Sequence, residues 1–311
     1  MIQTHCRRTP FIIKTVLLML VLQSSLALAL TINDDIKSHH FAKVPQRIVA
    51  LNWSMAENVL ELGLVPVGIA DIAGYQTWVV KPAIPAGVTD VGTRMEPNLE
   101  LIEELKPDVI LLSSSQADLL PRLEKIAPTL FFDSFNASQD NYQKSKKIFM
   151  QLAELFDKQT VAAQKLTALE KQFVDLKQQI SQHFSGHIPK VTTIRFNNAS
   201  TIIVYGDNSL SQAAAEQLGI APALPLGPSK WGIAQKKLSD LAQIEEGIVV
   251  NIKPFDQEKQ LQASPLWQAL PFVRKGHYTT MEAIWSYGGV NSVGYFAQAL
   301  TDSLLNINSP E

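Results

Sequence analysis

The same order of strand and helix patterns occurs twice in this chain, once on each side of a long helical segment. Residues 47–51 and 65–70 are apolar runs that predict buried strands, and residues 55–62 between them predict a helix. In the second half, residues 201–205 predict a strand and residues 209–218 predict the helix that follows it. Strands that alternate with helices indicate a parallel sheet, so we predict an α/β fold with two α/β lobes.

The segment between the two halves has the pattern of one long helix. Its apolar residues recur at three- and four-residue steps: Leu166, Leu169, Phe173, Leu176 and Ile180. We predict an N-terminal lobe over 30–157, a connecting helix over 158–186 and a C-terminal lobe over 187–311. The alternative is a surface helix of one lobe. A stiff helix between lobes, unlike a Gly/Ser-rich linker, predicts little hinge closure.

The first 29 residues have the features of a secretory signal peptide. Arg7, Arg8 and Lys14 precede or interrupt an apolar run, and a small-x-small motif ends at Ala29. The uninterrupted apolar run is shorter than the ~20 residues that a membrane-spanning helix needs. We therefore predict cleavage after Ala29 and export. The single cysteine, Cys6, precedes the apolar run, which argues against a lipoprotein and excludes an internal disulfide.

Charge and motifs exclude several functional classes. The chain has 27 Lys and Arg against 29 Asp and Glu, so no basic surplus points to nucleic acid. It has no G-x-S-x-G, P-loop, G-x-G-x-x-G or H-E-x-x-H motif, and its six histidines have no partner at metal-ligand spacing. We predict a protein that is not an enzyme and that has neither a cofactor nor a metal site of its own.

Several aromatic residues lie in segments whose sequence is typical of turns. Trp53 follows the first predicted strand, and Trp78, Trp231, Trp285 and Tyr287 have Gly or Pro neighbours nearby. Loops on a rigid scaffold carry ligand contacts, and aromatic rings cover apolar ligand surface. This pattern predicts an aromatic-walled binding site. For each ring taken singly, anchoring of its loop against the core remains the alternative.

Arg94 is the charged residue that best fits such a site. It lies between a predicted strand end and the helix that starts near Leu99. Its guanidinium offers a fork of N–H donors and does not lose its charge at neutral pH. An ion pair with Asp90 or Glu96 is the alternative.

Several motifs together resemble a known family. They are RIVAL at 47–51, LGLVPVG at 62–68, DVGTRMEPNLEL at 90–101, KPD at 106–108 and IAP at 126–128. These motifs are similar to those of the periplasmic substrate-binding proteins of ABC importers for iron chelates and cobalamin. PLWQALPFVRKG at 265–276 and AIWSYG at 283–288 resemble the iron(III)-hydroxamate-binding branch in particular. The resemblance implies two lobes joined by one long helix, with a ligand cleft between them.

The resemblance also assigns roles to residues. It implies that Arg94 bonds the hydroxamate oxygens, that Trp231, Trp285 and Tyr287 line the cleft, and that Trp53 and Trp78 lie on its other side. Gln116 stands where that branch has a ligand-contacting tyrosine and is therefore a candidate ligand contact, and Ile233 stands where the branch has a serine. Both departures remove a polar contact, so the preferred siderophore is expected to differ.

The implied function is capture of ferric hydroxamate siderophores and their delivery to an inner-membrane ABC permease with its ATPase. The ligand holds its own iron, and the receptor is expected to be a monomer. The acidic residues that could dock the permease are Glu57, Asp118, Glu245 and Glu246. Alternatives are a receptor of the same fold for cobalamin, haem or a ferric catecholate, an exported enzyme, and a structural partner of the permease that binds no small molecule.

Overall fold

The computed structural model describes Met1 and residues 30–307, and contains two five-stranded sheets. Residues 2–29, on which the predicted signal peptide falls, lie outside the described residues. In the described part, none of the helices combines the length and the apolar composition that crossing a bilayer requires.

The first lobe comprises a short hairpin and an α/β unit. Its strands are β1 (Leu30–Asn33), β2 (Ser38–Phe41), β3 (Ile48–Ala50), β4 (Gly68–Ile69), β5 (Thr89–Asp90), β6 (Val109–Ser113) and β7 (Thr129–Phe132). Its helices are α1 (Trp53–Glu61), α2 (Ile72–Trp78), α3 (Leu99–Glu104), α4 (Leu120–Leu123) and α5 (Asn141–Leu155), with a 3-10 helix over Ser114–Leu119.

The first sheet is entirely parallel and has the order β5-β4-β3-β6-β7. Every residue of β3 and β6 is buried, because helices cover both faces of the sheet. The chain leaves β3 toward β4 on one side and later returns to β6 on the other. A crevice therefore opens at the carboxyl ends of β3 and β6, where ligands bind in sheets of this kind.

A single long helix, α6 (Gln159–His183), joins the two lobes. Its 25 residues span about 37 Å. Leu169, Phe173, Leu176 and Ile180 of the predicted stripe are buried, and the helix packs against α5 of the first lobe and against two helices of the second. The predicted connecting helix is thus confirmed, and α6 does not belong to one lobe alone.

The second lobe contains the remaining elements. Its strands are β8 (Val191–Phe196), β9 (Thr201–Tyr205), β10 (Ile233–Lys237), β11 (Ile248–Ile252) and β12 (Tyr278–Met281). Its helices are α7 (Leu210–Gln217), α8 (Glu258–Gln262), α9 (Pro265–Ala269), α10 (Pro271–Arg274) and α11 (Val290–Leu304), with a 3-10 helix over Leu238–Gln243.

The second sheet repeats the order of the first but not all of its directions. The order is β10-β9-β8-β11-β12, and β9 runs antiparallel to both of its neighbours. The expectation that this half also forms a parallel sheet is wrong. The turn at 197–200, in which the Asn198 side chain accepts the amide N–H groups of Ser200 and Thr201, is too short for a parallel crossover.

Candidate functional site

Five aromatic rings from both lobes form a continuous row where the strands end. Trp53 and Phe135 come from the first lobe; Trp231, Trp285 and Tyr287 come from the second. Successive ring centres are 4.8 Å apart between Trp53 and Trp285, and 5.2 Å apart between Trp285 and Tyr287. They are 5.7 Å apart between Tyr287 and Phe135, and 5.8 Å apart between Phe135 and Trp231. These separations are normal for packed aromatic pairs. This aromatic row crosses from one lobe to the other, and Trp231, Trp285 and Tyr287 are half-buried.

Arg94 lies at the Trp53 end of the aromatic row. Its guanidinium carbon is 3.7 Å from the Trp53 ring centre and 5.6 Å from that of Trp285, distances at which a cation is attracted to a ring face. Its ion-pair partner is Asp71, with 3.6 Å between Nε and Oδ2, and its side chain is 34% exposed. Asp90 and Glu96, the partners considered from sequence, do not pair with it.

The electrostatics of this corner keep a positive charge next to the rings. Burial lowers the pKa of the Arg94 guanidinium, and the neighbouring Asp71 carboxylate opposes that effect. An arginine keeps its charge at neutral pH in spite of such a shift. Asp71 is itself held as the cap of α2, where it accepts the amide N–H of Gly74 at 3.1 Å. The corner is therefore preformed to bind an electron-rich group.

Trp53 supports the site from beneath and does not form its surface. The side chain is only 2% exposed, and its indole N–H donates to the carbonyls of Ala70 and Asp71. Arg94 covers one face of the ring. Burial of Trp53 beneath Arg94 contradicts its predicted contact with the ligand; Trp53 positions Arg94.

Gln116 is buried, which contradicts its predicted contact with the ligand. The residue is 1% exposed. Its amide nitrogen donates to the carbonyls of Leu51 and Arg94, at 2.7 Å in both cases, and its amide oxygen accepts the N–H of Ser113. Gln116 thus fastens the loop that carries Arg94 to the end of β3, at the crevice between β3 and β6.

We expect Gln116→Leu to lower the free energy of unfolding by about 2 kcal/mol, because the buried carbonyl of Leu51 and the partly buried carbonyl of Arg94 lose their donor. Urea unfolding followed by far-UV circular dichroism measures this. Gln76→Leu is the matched control, since Gln76 is an exposed glutamine on α2. Equal losses in the two variants would show that the Gln116 amide does not fasten the loop.

A buried carboxyl group of α1 holds the start of α11 and the preceding segment at 284–289, which carries Trp285 and Tyr287. Glu57 accepts from the amide of Ser292 at 2.9 Å and from its hydroxyl at 2.6 Å. A Cβ added at Gly288 would lie 1.8 Å from the Ser292 hydroxyl and 2.4 Å from the Glu57 carboxyl. Only glycine permits this close approach, which brings Trp285 against Trp53.

The Glu57 result corrects one of the predicted docking residues. Glu57 is 0% exposed, and burial raises the pKa of its carboxyl to about 8. A side chain sealed between the lobes cannot meet another protein, so the prediction that it docks a permease is wrong. Asp118, Glu245 and Glu246 are exposed, and their docking role stays a prediction.

Three site residues were missed from sequence. Phe135 follows β7, and Asp71 follows β4, so both are found at the carboxyl end of a strand. Arg195 is the penultimate residue of β8; its guanidinium lies 5.3 Å from the ring centre of half-buried Trp78 and donates to the carbonyl of Ile284. The position after an apolar run typical of a strand could have identified Phe135 and Asp71 from the sequence. Arg195 could not be identified in this way, because its strand, β8, was not predicted.

Other regions lack the features of the aromatic row. A cavity of about 610 Å³ opens between Lys81, Tyr295 and Asp302, and none of the five rings lines it. Across the described ranges, no three His, Cys, Asp or Glu side chains form a group that could hold a metal ion.

Comparison with known proteins identifies several relatives. Residues 48–284 match the family model described as periplasmic binding protein. The chain is 33% identical over 272 residues to the iron(3+)-hydroxamate-binding protein FhuD of Escherichia coli strain K12, covering 86% of this chain and 90% of that protein. It is 27% identical over 273 residues to the Fe(3+) dicitrate-binding periplasmic protein FecB of the same strain, covering 85% and 86%.

One solved structure extends this similarity to three dimensions. The Fe3+-Desferal-bound siderophore-binding protein FhuD from Vibrio cholerae superposes with a TM-score of 0.83 at 45% sequence identity. The match covers 85% of this chain and 99% of that chain.

Proposed function

Because this chain belongs to the periplasmic binding protein family, we propose that it captures ferric hydroxamate siderophores and delivers them to an ABC permease of the inner membrane. The observation that carries the proposal is the position of Arg94 at the end of an aromatic row built from both lobes. The hydroxamate-binding protein of E. coli and the Desferal-bound protein of V. cholerae support the choice of ligand.

The chemistry of the ligand matches this arrangement. In a ferric trihydroxamate the oxygens of the chelator already saturate the iron, so a receptor contacts only the outside of the complex. The Arg94 fork suits the electron-rich hydroxamate oxygens, and the half-buried rings suit the organic arms. Burial raises the pKa of the Tyr287 hydroxyl, which keeps it neutral and able to donate. Such a receptor makes and breaks no covalent bond, so it is a binding protein and not an enzyme.

The remaining parts of the proposal concern location and partners. The protein is exported by the signal peptide at 1–29, and works in the periplasm as a monomer. The exposed acidic residues Asp118, Glu245 and Glu246 are its candidate contacts with the permease, which is coupled to an ATPase.

The first test is binding by the purified mature chain. Four of the five tryptophans surround the cleft: Trp53, Trp78, Trp231 and Trp285. We therefore expect ligand binding to quench tryptophan fluorescence strongly. Ferrichrome and the ferric complex of desferrioxamine B should bind at micromolar or lower concentration. Cobalamin, haem and ferric enterobactin serve as the comparison ligands. Tighter binding of any of these three, or no binding of either hydroxamate, would contradict the proposal.

A further inference from the structure

Arg195 brings a second guanidinium to the cleft, and its charge is uncompensated. Within residues 30–307 it has no acidic partner, and its single hydrogen bond goes from Nη2 to the carbonyl of Ile284 at 3.3 Å. Its Nε is buried without a hydrogen-bond partner. An arginine has five N–H donors, so most of the donors of Arg195 have no partner in the described protein. Leaving a charged donor unpaired away from water costs free energy.

The two arginines border the same segment of the second lobe. Arg195 bonds the carbonyl of Ile284, and Arg94 lies near the ring of Trp285, the next residue. The positive charge of Arg195 acts on Tyr287 as well, where it opposes the effect of burial on the pKa of the hydroxyl. Both guanidiniums therefore lie next to the short segment that carries Trp285 and Tyr287.

The balance of charge around the row is positive. Asp71 pairs with Arg94 and offsets its charge. No acidic side chain of the described ranges does the same for Arg195 or for the exposed Lys230, whose ammonium lies 5.6 Å from the Trp231 ring centre. A neutral trihydroxamate would satisfy the Arg94 corner but would leave Arg195 uncompensated.

We infer that the cleft selects ferric hydroxamates that carry an anionic group, such as a carboxylate, and that Arg195 is the residue that reads this charge. This inference rests on the proposed function and narrows its substrate class. A carboxylate can accept two parallel N–H bonds from a guanidinium fork, a geometry that a neutral amide or an ammonium group does not offer. The carboxylate would supply the acceptors that Arg195 lacks.

Packing alone does not account for Arg195. Its guanidinium faces Trp78 across the cleft, and an aromatic face attracts a cation. That contact supplies no hydrogen-bond acceptor to the N–H groups of Arg195. A residue needed only to cover Trp78 could be apolar, without the cost of an unpaired charge.

The test uses three chelates with the same iron-binding framework and different charge. They are the ferric complexes of desferrioxamine B, which carries a free ammonium group, of its neutral N-acetyl derivative, and of its N-succinyl derivative, which ends in a carboxylate. Dissociation constants come from tryptophan quenching at low ionic strength. We expect the wild type to bind the succinyl complex at least tenfold more tightly than the ammonium complex, with the acetyl complex between them.

The variants assign this preference to Arg195. Arg195→Gln should reduce it to less than threefold, and Arg195→Lys, which keeps the charge but loses the planar fork, should keep part of it. Arg122→Gln, at an exposed arginine on α4, should behave as the wild type does. Circular dichroism verifies folding, and if Arg195→Gln does not fold, the wild-type preference must shrink in high salt.

Three results would overturn the inference. They are a wild type without the preference, a preference unchanged in Arg195→Gln, and, should that variant not fold, a preference insensitive to salt. Binding of all three chelates with equal affinity would overturn this inference and leave the proposed function intact. Failure of all three chelates to bind the wild type would contradict the proposed function itself.

Discussion

Replacing Arg94 with alanine is expected to weaken binding of ferric hydroxamates by about 100-fold, or about 2.7 kcal/mol. The substitution removes the charged fork that lies 3.7 Å from the Trp53 ring centre, and a hydrogen bond from a charged donor contributes more than one from a neutral donor. Arg94→Lys keeps the charge but loses the planar fork, so its affinity should fall between those of the wild type and the alanine variant. Tryptophan quenching or calorimetry with ferrichrome measures all three.

The fold should tolerate this change. The Arg94 side chain is one-third exposed and has a single ion pair at 3.6 Å, so we expect almost the same thermal unfolding for Arg94→Ala as for the wild type. Arg122→Ala is the control, because Arg122 is exposed on α4. An Arg94→Ala protein that binds within threefold of the wild type would show that the guanidinium does not hold the chelate.

The second large effect is a loss of stability with rising pH that comes from Glu57. Burial raises the pKa of this carboxyl from 4.5 to about 8 in the folded protein. Between these values the folded chain keeps a proton that the unfolded chain releases. The contribution of Glu57 to stability is therefore complete below about pH 4.5 and is lost progressively as the pH rises to about 8. By linkage the loss between pH 5 and pH 8 is about 3–4 kcal/mol.

Glu57→Gln isolates this effect. A glutamine amide does not titrate, and it can accept from the Ser292 amide and donate to the Ser292 hydroxyl. We expect the free energy of unfolding of Glu57→Gln minus that of the wild type to increase by about 3–4 kcal/mol from pH 5 to pH 8. Urea unfolding at several pH values gives this difference, in which the effects of titrating groups that do not interact with Glu57 cancel.

The surroundings of Glu57 contribute to the expected size of the effect. Glu61 on the same helix adds a repulsive charge that favours the neutral form of Glu57. Glu61 is itself paired with Lys165 of α6 and accepts from the hydroxyl of Tyr295 on α11. Glu154→Gln is the control, since Glu154 is an exposed residue of α5. A difference that stays constant with pH would show that Glu57 does not retain a proton in the folded state.

Local sequence patterns predicted the large features of the fold. The three- and four-residue spacing from Leu169 to Ile180 identified α6 because every one of these residues packs on the same side of a helix. Apolar runs identified β3 and β4 because these strands are buried on both faces. Each signal lies within a short segment, so it needs no knowledge of the partner that covers it.

The residues of the site also fall into two groups, those that local sequence features identified correctly and those that they did not. Arg94, Trp231, Trp285 and Tyr287 could be named from their turn-like segments and from the family resemblance. The structure brings them together along the aromatic row, whereas their contact with a siderophore stays a proposal. Glu57 was predicted to lie on the surface, and Gln116 was predicted to contact the ligand. Both predictions failed because no residue close in sequence to either one indicates which side chains cover it.

What the sequence determined by itself is the set of elements: two strand-and-helix halves, a stiff helix between them, and an arginine and aromatic rings placed in turns. Only the tertiary structure decided which of these side chains meet. Ser292, which covers Glu57, is 235 positions away along the chain, and Asp71, not Asp90 or Glu96, balances Arg94. Burial and charge compensation arise from contacts between distant segments, so they exist only once the lobes have packed against each other.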